Sequence, residues 1–301
     1  LVRSRGLGDV YKRQVSVFIY SKVDKELLSR MPKVRLIATR STGFDHIDTE
    51  ECKHRGILVS NVPLYSENTV AEHTFALILS LSRLIHKAYE RTIRGDFSCE
   101  GTWGFDLRGK VLGVVGTGHI GIRVIKIAKG FGMNILAYDK YPNKKLQQEL
   151  EFEYADLTRL LKESDILTLH LPLNQETYHF LDKEKIDIMK KKAIVINTAR
   201  GGLVDTGALA NALVKGQLGG AGLDVLEEET LIREEAQLLL DDFPRERLAT
   251  LLKNHILLRL ENVIITPHCA FNSRESLSRL INTAIANIEA FIKGKPENIV
   301  T

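Results

Sequence analysis

An α/β fold is predicted: a doubly wound parallel sheet formed by most of the chain, plus a second, smaller α/β domain. Three observations predict it. Short β-branched runs alternate with helical periodicities along the chain. A glycine-rich turn, Gly116-Thr-Gly-His-Ile-Gly121, follows the apolar run Val111–Val115. The next apolar run, Ile135–Tyr138, ends on an acid, Asp139.

The elements follow in order. Val15–Tyr20, Val34–Thr39 and Ile57–Val62 read as strands, with a helix over Lys25–Arg30. Thr69–Arg94 reads as one long helix stopped by Gly95, because Ala76, Leu77, Leu81, Leu84, Ile85 and Ala88 recur at helical spacing. Six further strands are expected at Val111–Val115, Ile135–Asp139, Ile166–His170, Ala193–Asn197, Gly220–Asp224 and Val263–Thr266. Between them lie helices Ile122–Phe131, Ala155–Lys162, Lys183–Met189 and Thr206–Lys215. The charged stretch Glu227–Leu260 reads as a surface insertion with helices over Glu234–Leu240 and Arg245–Leu252. Leu277–Ile292 is a final amphipathic helix.

The glycine turn has a specific use. Gly116 permits a tight turn, Gly118 lets the backbone approach a pyrophosphate, and Gly121 lets helix and strand pack closely. The helix beginning there offers free N–H groups and partial positive charge to phosphates. Asp139, 18 residues beyond Gly121, stands where a carboxylate accepts from ribose hydroxyls. Strand, turn, helix, strand and acid together predict a Rossmann-type dinucleotide site. A carboxylate repels a 2′-phosphate, so NAD is expected rather than NADP.

Composition narrows the rest. The 301 residues are 44% hydrophobic and 27% charged, ordinary for a globular chain of two domains. Three cysteines, Cys52, Cys99 and Cys269, without C-x-x-C spacing point to a reducing, cytoplasmic compartment and no disulfide framework. No metal is expected. No apolar run approaches the ~18 residues needed to span a bilayer, so no membrane partner is expected. The net charge of +4 is concentrated at the start, where Arg3, Arg5, Lys12 and Arg13 against Asp9 give +3 and leave +1 for the remainder. Nucleic-acid binding is therefore not expected. Leu1–Gln14 has no apolar period, and Asp9–Gln14 reads like a translated adapter, so a non-native leader that packs against nothing is expected.

Ligands of open parallel sheets bind at the C-terminal strand ends. The polar residues there are His170, Asn197–Arg200, Asp224 to Glu229, and His268. Hydride transfer to a carbonyl needs a proton donor, served by a histidine, and a cation for a substrate carboxylate, served by an arginine. A carboxylate beside the histidine would favour its protonated form. Spacing does not choose between His170 and His268.

The chain resembles the D-isomer-specific 2-hydroxyacid dehydrogenase family in Gly109–Gly121, Ile194–Asp205, Gly222–Glu229 and Thr266-Pro-His268. Within it, the chain is most similar to the D-lactate type, through Asn61–Ser66, Ala71-Glu-His73, Gly95-Asp-Phe97, Gly104–Leu107 and Thr266–Phe271. The resemblance implies a flavodoxin-like substrate domain, reduction of pyruvate or a similar 2-oxo acid, and a homodimer joined through helices such as Thr69–Arg94. It puts the family's arginine, glutamate and histidine on Arg200, Glu229 and His268. It puts His119 and Ile120 on the pyrophosphate and Asp139 on the ribose. Leu171, Pro172, Thr177, Thr198, Ala199, Arg200 and Asp224 would surround the nicotinamide half, with His170 in the cofactor wall. Backbone N–H groups at Thr42 and Gly43 would meet the substrate carboxylate, and Tyr65 and Phe271 would line its side-chain pocket.

The resemblance implies domains at 15–65 with 268–301 (substrate) and 66–267 (cofactor). It also implies a strand–helix–strand unit before Val15, so the smaller domain is expected to be incomplete. Cys269 stands where lactate-type relatives usually carry Thr, and Asn272 where an aromatic is common. Alternatives are another 2-hydroxyacid (glycerate, phosphoglycerate or a branched 2-oxo acid) and a non-catalytic NAD-sensing protein.

Overall fold

The computed structural model describes residues 13–229 and 245–301. Among these, residues up to Ser66 with Asn272–Thr301 form a smaller unit, and Glu67–Phe271 a larger one.

In the smaller unit, strands β1 (Gln14–Val17), β2 (Leu36–Thr39) and β3 (Leu58–Ser60) alternate with helices α1 (Lys25–Ser29) and α2 (Thr49–His54). The sheet is parallel, in the order β1-β2-β3. Its middle strand is buried at all four positions, which is why Leu36–Thr39 reads as a run rather than an alternation. Asp24 and Asp48 accept from Leu27 N–H and Glu51 N–H and so cap the two helices. Ile299 bridges antiparallel to Ser60 at the far edge of β3.

Two expectations need correction here. Gln14 pairs with Leu36, and the Arg13 carbonyl accepts from Arg35 N–H and Leu36 N–H, so both residues belong to the sheet and not to an unpacked leader. Residues 1–12 of that leader lie outside the described residues. The first strand also stops at Val17, because Phe18 O accepts from Ser21 N–H and the chain turns.

The larger unit opens with α3 (Glu67–Ser82) and α4 (Ile85–Ile93). Then come β4 (Val111–Val115), α5 (His119–Gly130), β5 (Asn134–Tyr138), α6 (Lys144–Leu150), β6 (Glu153–Tyr154), α7 (Leu157–Glu163) and β7 (Ile166–Leu169). It closes with α8 (Lys183–Asp187), β8 (Ile194–Asn197), α9 (Thr206–Val214), β9 (Gly220–Leu223), α10 (Arg245–Arg259) and β10 (Val263–Ile265). The seven strands are parallel, in the order β10-β9-β8-β7-β4-β5-β6. Strand order reverses between β4 and β7, which sets a switch point at their C-terminal ends. Successive strand residues feed opposite faces: Leu112, Val114, Ile166, Ile194 and Ile196 enter one core, and Val115, Leu167, Leu169 and Val195 the other.

The sheet exceeds the expected six strands by β6, whose two residues are too short to leave a pattern. The single helix expected over Thr69–Arg94 is two. Phe105 N–H donates to Ser82 O at 2.8 Å, and Leu84 turns left-handed at φ 52°, so the chain restarts at Ile85. The helix α5 starts at His119 rather than Ile122, with Gly118 as its cap. The helix expected over Glu234–Leu240 lies outside the described residues, and the one expected to end at Leu252 runs to Arg259. Among the described residues, no helix is long and apolar enough to cross a membrane.

Candidate active site

The glycine turn sits at the switch point. Gly116 has φ +94°, and a Cβ there would lie 2.5 Å from the His170 carbonyl, so only glycine lets β4 turn this close to the end of β7. At Gly118 a Cβ would meet nothing within 4 Å, leaving open space in front of the α5 N-terminus where His119 is exposed. Asp139 binds the turn itself. Its Oδ2 accepts from Thr117 N–H at 2.7 Å and the Thr117 hydroxyl at 2.9 Å, and its Oδ1 accepts from Tyr141 N–H at 2.8 Å. The residues present fit a dinucleotide: an open helix N-terminus for phosphates and a fixed carboxylate beside it.

The wall after β7 carries His170, Leu171, Pro172 and Thr177. His170 Nε2 lies 3.0 Å from Thr168 Oγ1, while its Nδ1 is buried without a hydrogen-bond partner. Burial pushes its pKa down to about 3, so it is neutral and a poor source of a proton. The two histidines that spacing left equal are thus chemically unlike. The Thr177 hydroxyl donates to Pro172 O at 2.6 Å and holds the turn closed.

After β8, Asn197 organises the next loop. Its Oδ1 accepts from Ala199 N–H and its Nδ2 donates to Arg200 O. Thr198 Oγ1 lies 2.9 Å from Thr74 Oγ1 on α3, and Arg200 Nη1 donates to Ala199 O. A Cβ on Gly201 would fall 2.1 Å from the Leu226 carbonyl carbon, so the Arg200 loop rests directly on the loop that leads to Glu229.

The acids after β9 divide into separate roles. Asp224 is 1% exposed and ties down the loop after β10. Its Oδ1 accepts from the Thr266 hydroxyl at 2.5 Å and Cys269 N–H at 2.9 Å, and its Oδ2 from Ala270 N–H at 2.8 Å. Glu227 Oε1 faces His179 Nε2 at 2.7 Å, and its Oε2 accepts from Thr206 N–H and the Thr206 hydroxyl. Glu229 Oε1 lies 2.6 Å from Nδ1 of His268, itself left-handed at φ 52°. A non-glycine residue held there costs on the order of 1–3 kcal/mol, which the Asp224 contacts on both sides of it offset. Phe271 stands edge-on to the His268 ring, centroids 6.5 Å apart.

Of the residues expected in the site, Arg200, Glu229, His268, Phe271 and the whole cofactor set lie in the larger unit. Thr42, Gly43 and Tyr65 lie in the smaller unit. There the Thr42 hydroxyl donates to Val62 O, Gly43 O accepts from the Ser41 hydroxyl, and Tyr65 is buried, its carbonyl accepting from Arg279 Nε. Sequence reasoning missed His179 and Thr206, which act as supports, and it gave no separate role to Glu227 in the acidic run or to His73 and Thr266 in the matching motifs. Nothing in the spacing shows these contacts, because each residue meets its partner only through the fold.

Residues 75–270 match the family model for the D-isomer-specific 2-hydroxyacid dehydrogenase, NAD binding domain. The chain belongs to this family. It is 40% identical over 290 residues to a glyoxylate reductase of Thermococcus litoralis, covering 94% of this chain and 81% of that protein. It is 37% identical over 286 residues to the D-lactate dehydrogenase of Escherichia coli, covering 93% and 84%. Among solved structures, the Aquifex aeolicus D-lactate dehydrogenase complexed with NAD and lactic acid superposes with a TM-score of 0.88 at 41% identity, covering 96% of this chain and 85% of that one. As a member of the 2-hydroxyacid dehydrogenase family, the chain is an NAD-dependent oxidoreductase.

Proposed function

We propose that the chain reduces a short 2-oxo acid, pyruvate foremost, to the D-2-hydroxy acid with NADH, and runs the reverse reaction. The observation that carries this reading is the 2.6 Å contact between Glu229 and His268. NADH, when bound, supplies the hydride that arrives at the carbonyl carbon. The Arg200 guanidinium binds the substrate carboxylate and orients the carbonyl. His268 donates its Nε2 proton to the carbonyl oxygen as negative charge builds there, and it ends neutral until solvent reprotonates it. Glu229 accepts from Nδ1–H and offsets the imidazolium charge. Thr42, Gly43, Tyr65 and Phe271 are assigned to the substrate, and Asp139, Leu171, Pro172, Thr177, Thr198, Ala199 and Asp224 to the cofactor.

Likeness to the lactate-complexed structure supports pyruvate. The similar glyoxylate reductases favour a second reading, glyoxylate, which the sequence reading did not consider. Specificity constants on a panel of pyruvate, glyoxylate, hydroxypyruvate and branched 2-oxo acids test both. Pyruvate is expected highest, and a glyoxylate value above it reverses the order.

A homodimer is proposed through α4. Ile85, Tyr89 and Ile93 stand on one face of that helix, 52%, 66% and 63% exposed, and no residue of the helix is buried. A second copy would remove this stripe from water.

A further inference from the structure

His73, Asp224 and Cys269 each present a metal-ligating atom, and these atoms lie within 4.8 Å of one another. They come from three places in the larger unit: His73 from α3, Asp224 from the end of β9, and Cys269 from the loop after β10. We propose that they form a binding site for one thiophilic divalent cation, of which Zn²⁺ is the type.

The donor set is one imidazole nitrogen, one carboxylate oxygen and one sulfur. That combination suits Zn²⁺ and its neighbours and disfavours Mg²⁺ or Ca²⁺, which take oxygen. Bonds of about 2.0–2.3 Å in a tetrahedron put ligand atoms roughly 3.3–3.8 Å apart. His73 Nε2 and Asp224 Oδ1 are already 3.5 Å apart. The sulfur needs to close by at most about an ångström to reach the same geometry. The His73 side chain is 21% exposed, which leaves a way in. Ala270 N–H holds the far oxygen, Oδ2, of Asp224, while Oδ1 must exchange the Thr266 hydroxyl it now accepts for the ion. A fourth position is left for water.

The proton balance is definite. Thr266 donates its hydroxyl to Asp224, so the 3.0 Å contact between Thr266 Oγ1 and His73 Nε2 needs the proton on Nε2. Coordination needs the other neutral tautomer, with that proton exchanged to Nδ1 through solvent. The Cys269 thiol loses its proton to solvent as sulfur binds the ion. Each cation bound therefore releases one proton.

Co²⁺ titration of the full chain tests the site. One equivalent should produce a thiolate-to-cobalt charge-transfer band with tetrahedral ligand-field bands, and Zn²⁺ should displace them. Cys269→Ser should abolish the charge-transfer band, and His73→Gln should weaken Co²⁺ binding at least about tenfold. No saturable band, or a band that persists in Cys269→Ser, overturns the proposal; the latter would assign it to the exposed Cys99. The consequence for the enzyme rests on the reading of Asp224 as a nicotinamide neighbour. On that reading, saturating Co²⁺ raises the NADH Kd at least about tenfold. Unchanged NADH affinity beside the expected spectrum keeps the ion site and overturns that reading of Asp224.

Discussion

Glu227 and His179 meet at 2.7 Å, two residues before the acid that touches His268. The same Glu227 carboxylate takes both donors of Thr206, so it joins the loop after β9 to the start of α9. Glu227→Gln should keep the shape and lose the charge-assisted bonds, at a cost of about 1–3 kcal/mol in stability. If Glu227 positions Glu229, kcat should fall while KM for the 2-oxo acid changes little. Thermal unfolding with steady-state kinetics checks this, and a lower Tm with unchanged kcat would leave Glu227 a structural tie alone.

His268→Gln should lose roughly 10²–10⁴-fold in turnover while NADH affinity, read by fluorescence, is kept. Glu229→Gln should lower kcat at least about tenfold while NADH affinity is kept, because Nδ1 of His268 loses the carboxylate that orients its ring. An unchanged kcat would exclude Glu229 as its partner.

Asp139 should favour NADH over NADPH by at least tenfold in kcat/KM, a difference of ~1.4 kcal/mol or more. Because Asp139 also holds Thr117 N–H, its removal loosens the glycine turn. Asp139→Asn, which keeps an acceptor, is therefore the variant to assay. It should narrow the preference without losing the fold, and equal specificity constants in the unaltered protein would refute the role.

His170 contributes to acid sensitivity. Its pKa is near 6.5 when unfolded and is pushed to about 3 by burial when folded. The unfolded state therefore binds the proton first. The stability from burying a neutral ring is fully present above about pH 6.5 and is lost as pH falls toward 3. Near pH 5 the loss is about 2 kcal/mol. His170→Gln, which cannot titrate, should show a smaller drop in Tm between pH 7 and pH 5 than the unaltered protein. Parallel Tm profiles would contradict the assignment.

Tyr89→Glu with Ile93→Glu should convert a dimer to a monomer in light scattering at micromolar concentration. A monomer before substitution would refute assembly through α4.

Local chemistry was enough for the parallel sheet and the cofactor turn. A strand of apolar residues, three glycines, a helix and an acid at fixed spacing are contiguous, so Val111–Asp139 declares its own use. Resemblance added the assignment of Arg200, Glu229 and His268, which pattern alone left open at the histidine. Tertiary structure decided what depends on partners remote in sequence. Burial made His170 neutral, a contact across 39 residues set His268 against Glu229, and the Phe105 N–H on Ser82 O broke a helix whose periodicity runs unbroken. It also divided three like-looking positions, Glu227, Glu228 and Glu229, into a half-buried tie, a left-handed turn and a histidine partner. A sequence carries side-chain type and order, whereas a carboxylate's role is set by which donors the fold brings within about 3 Å of it.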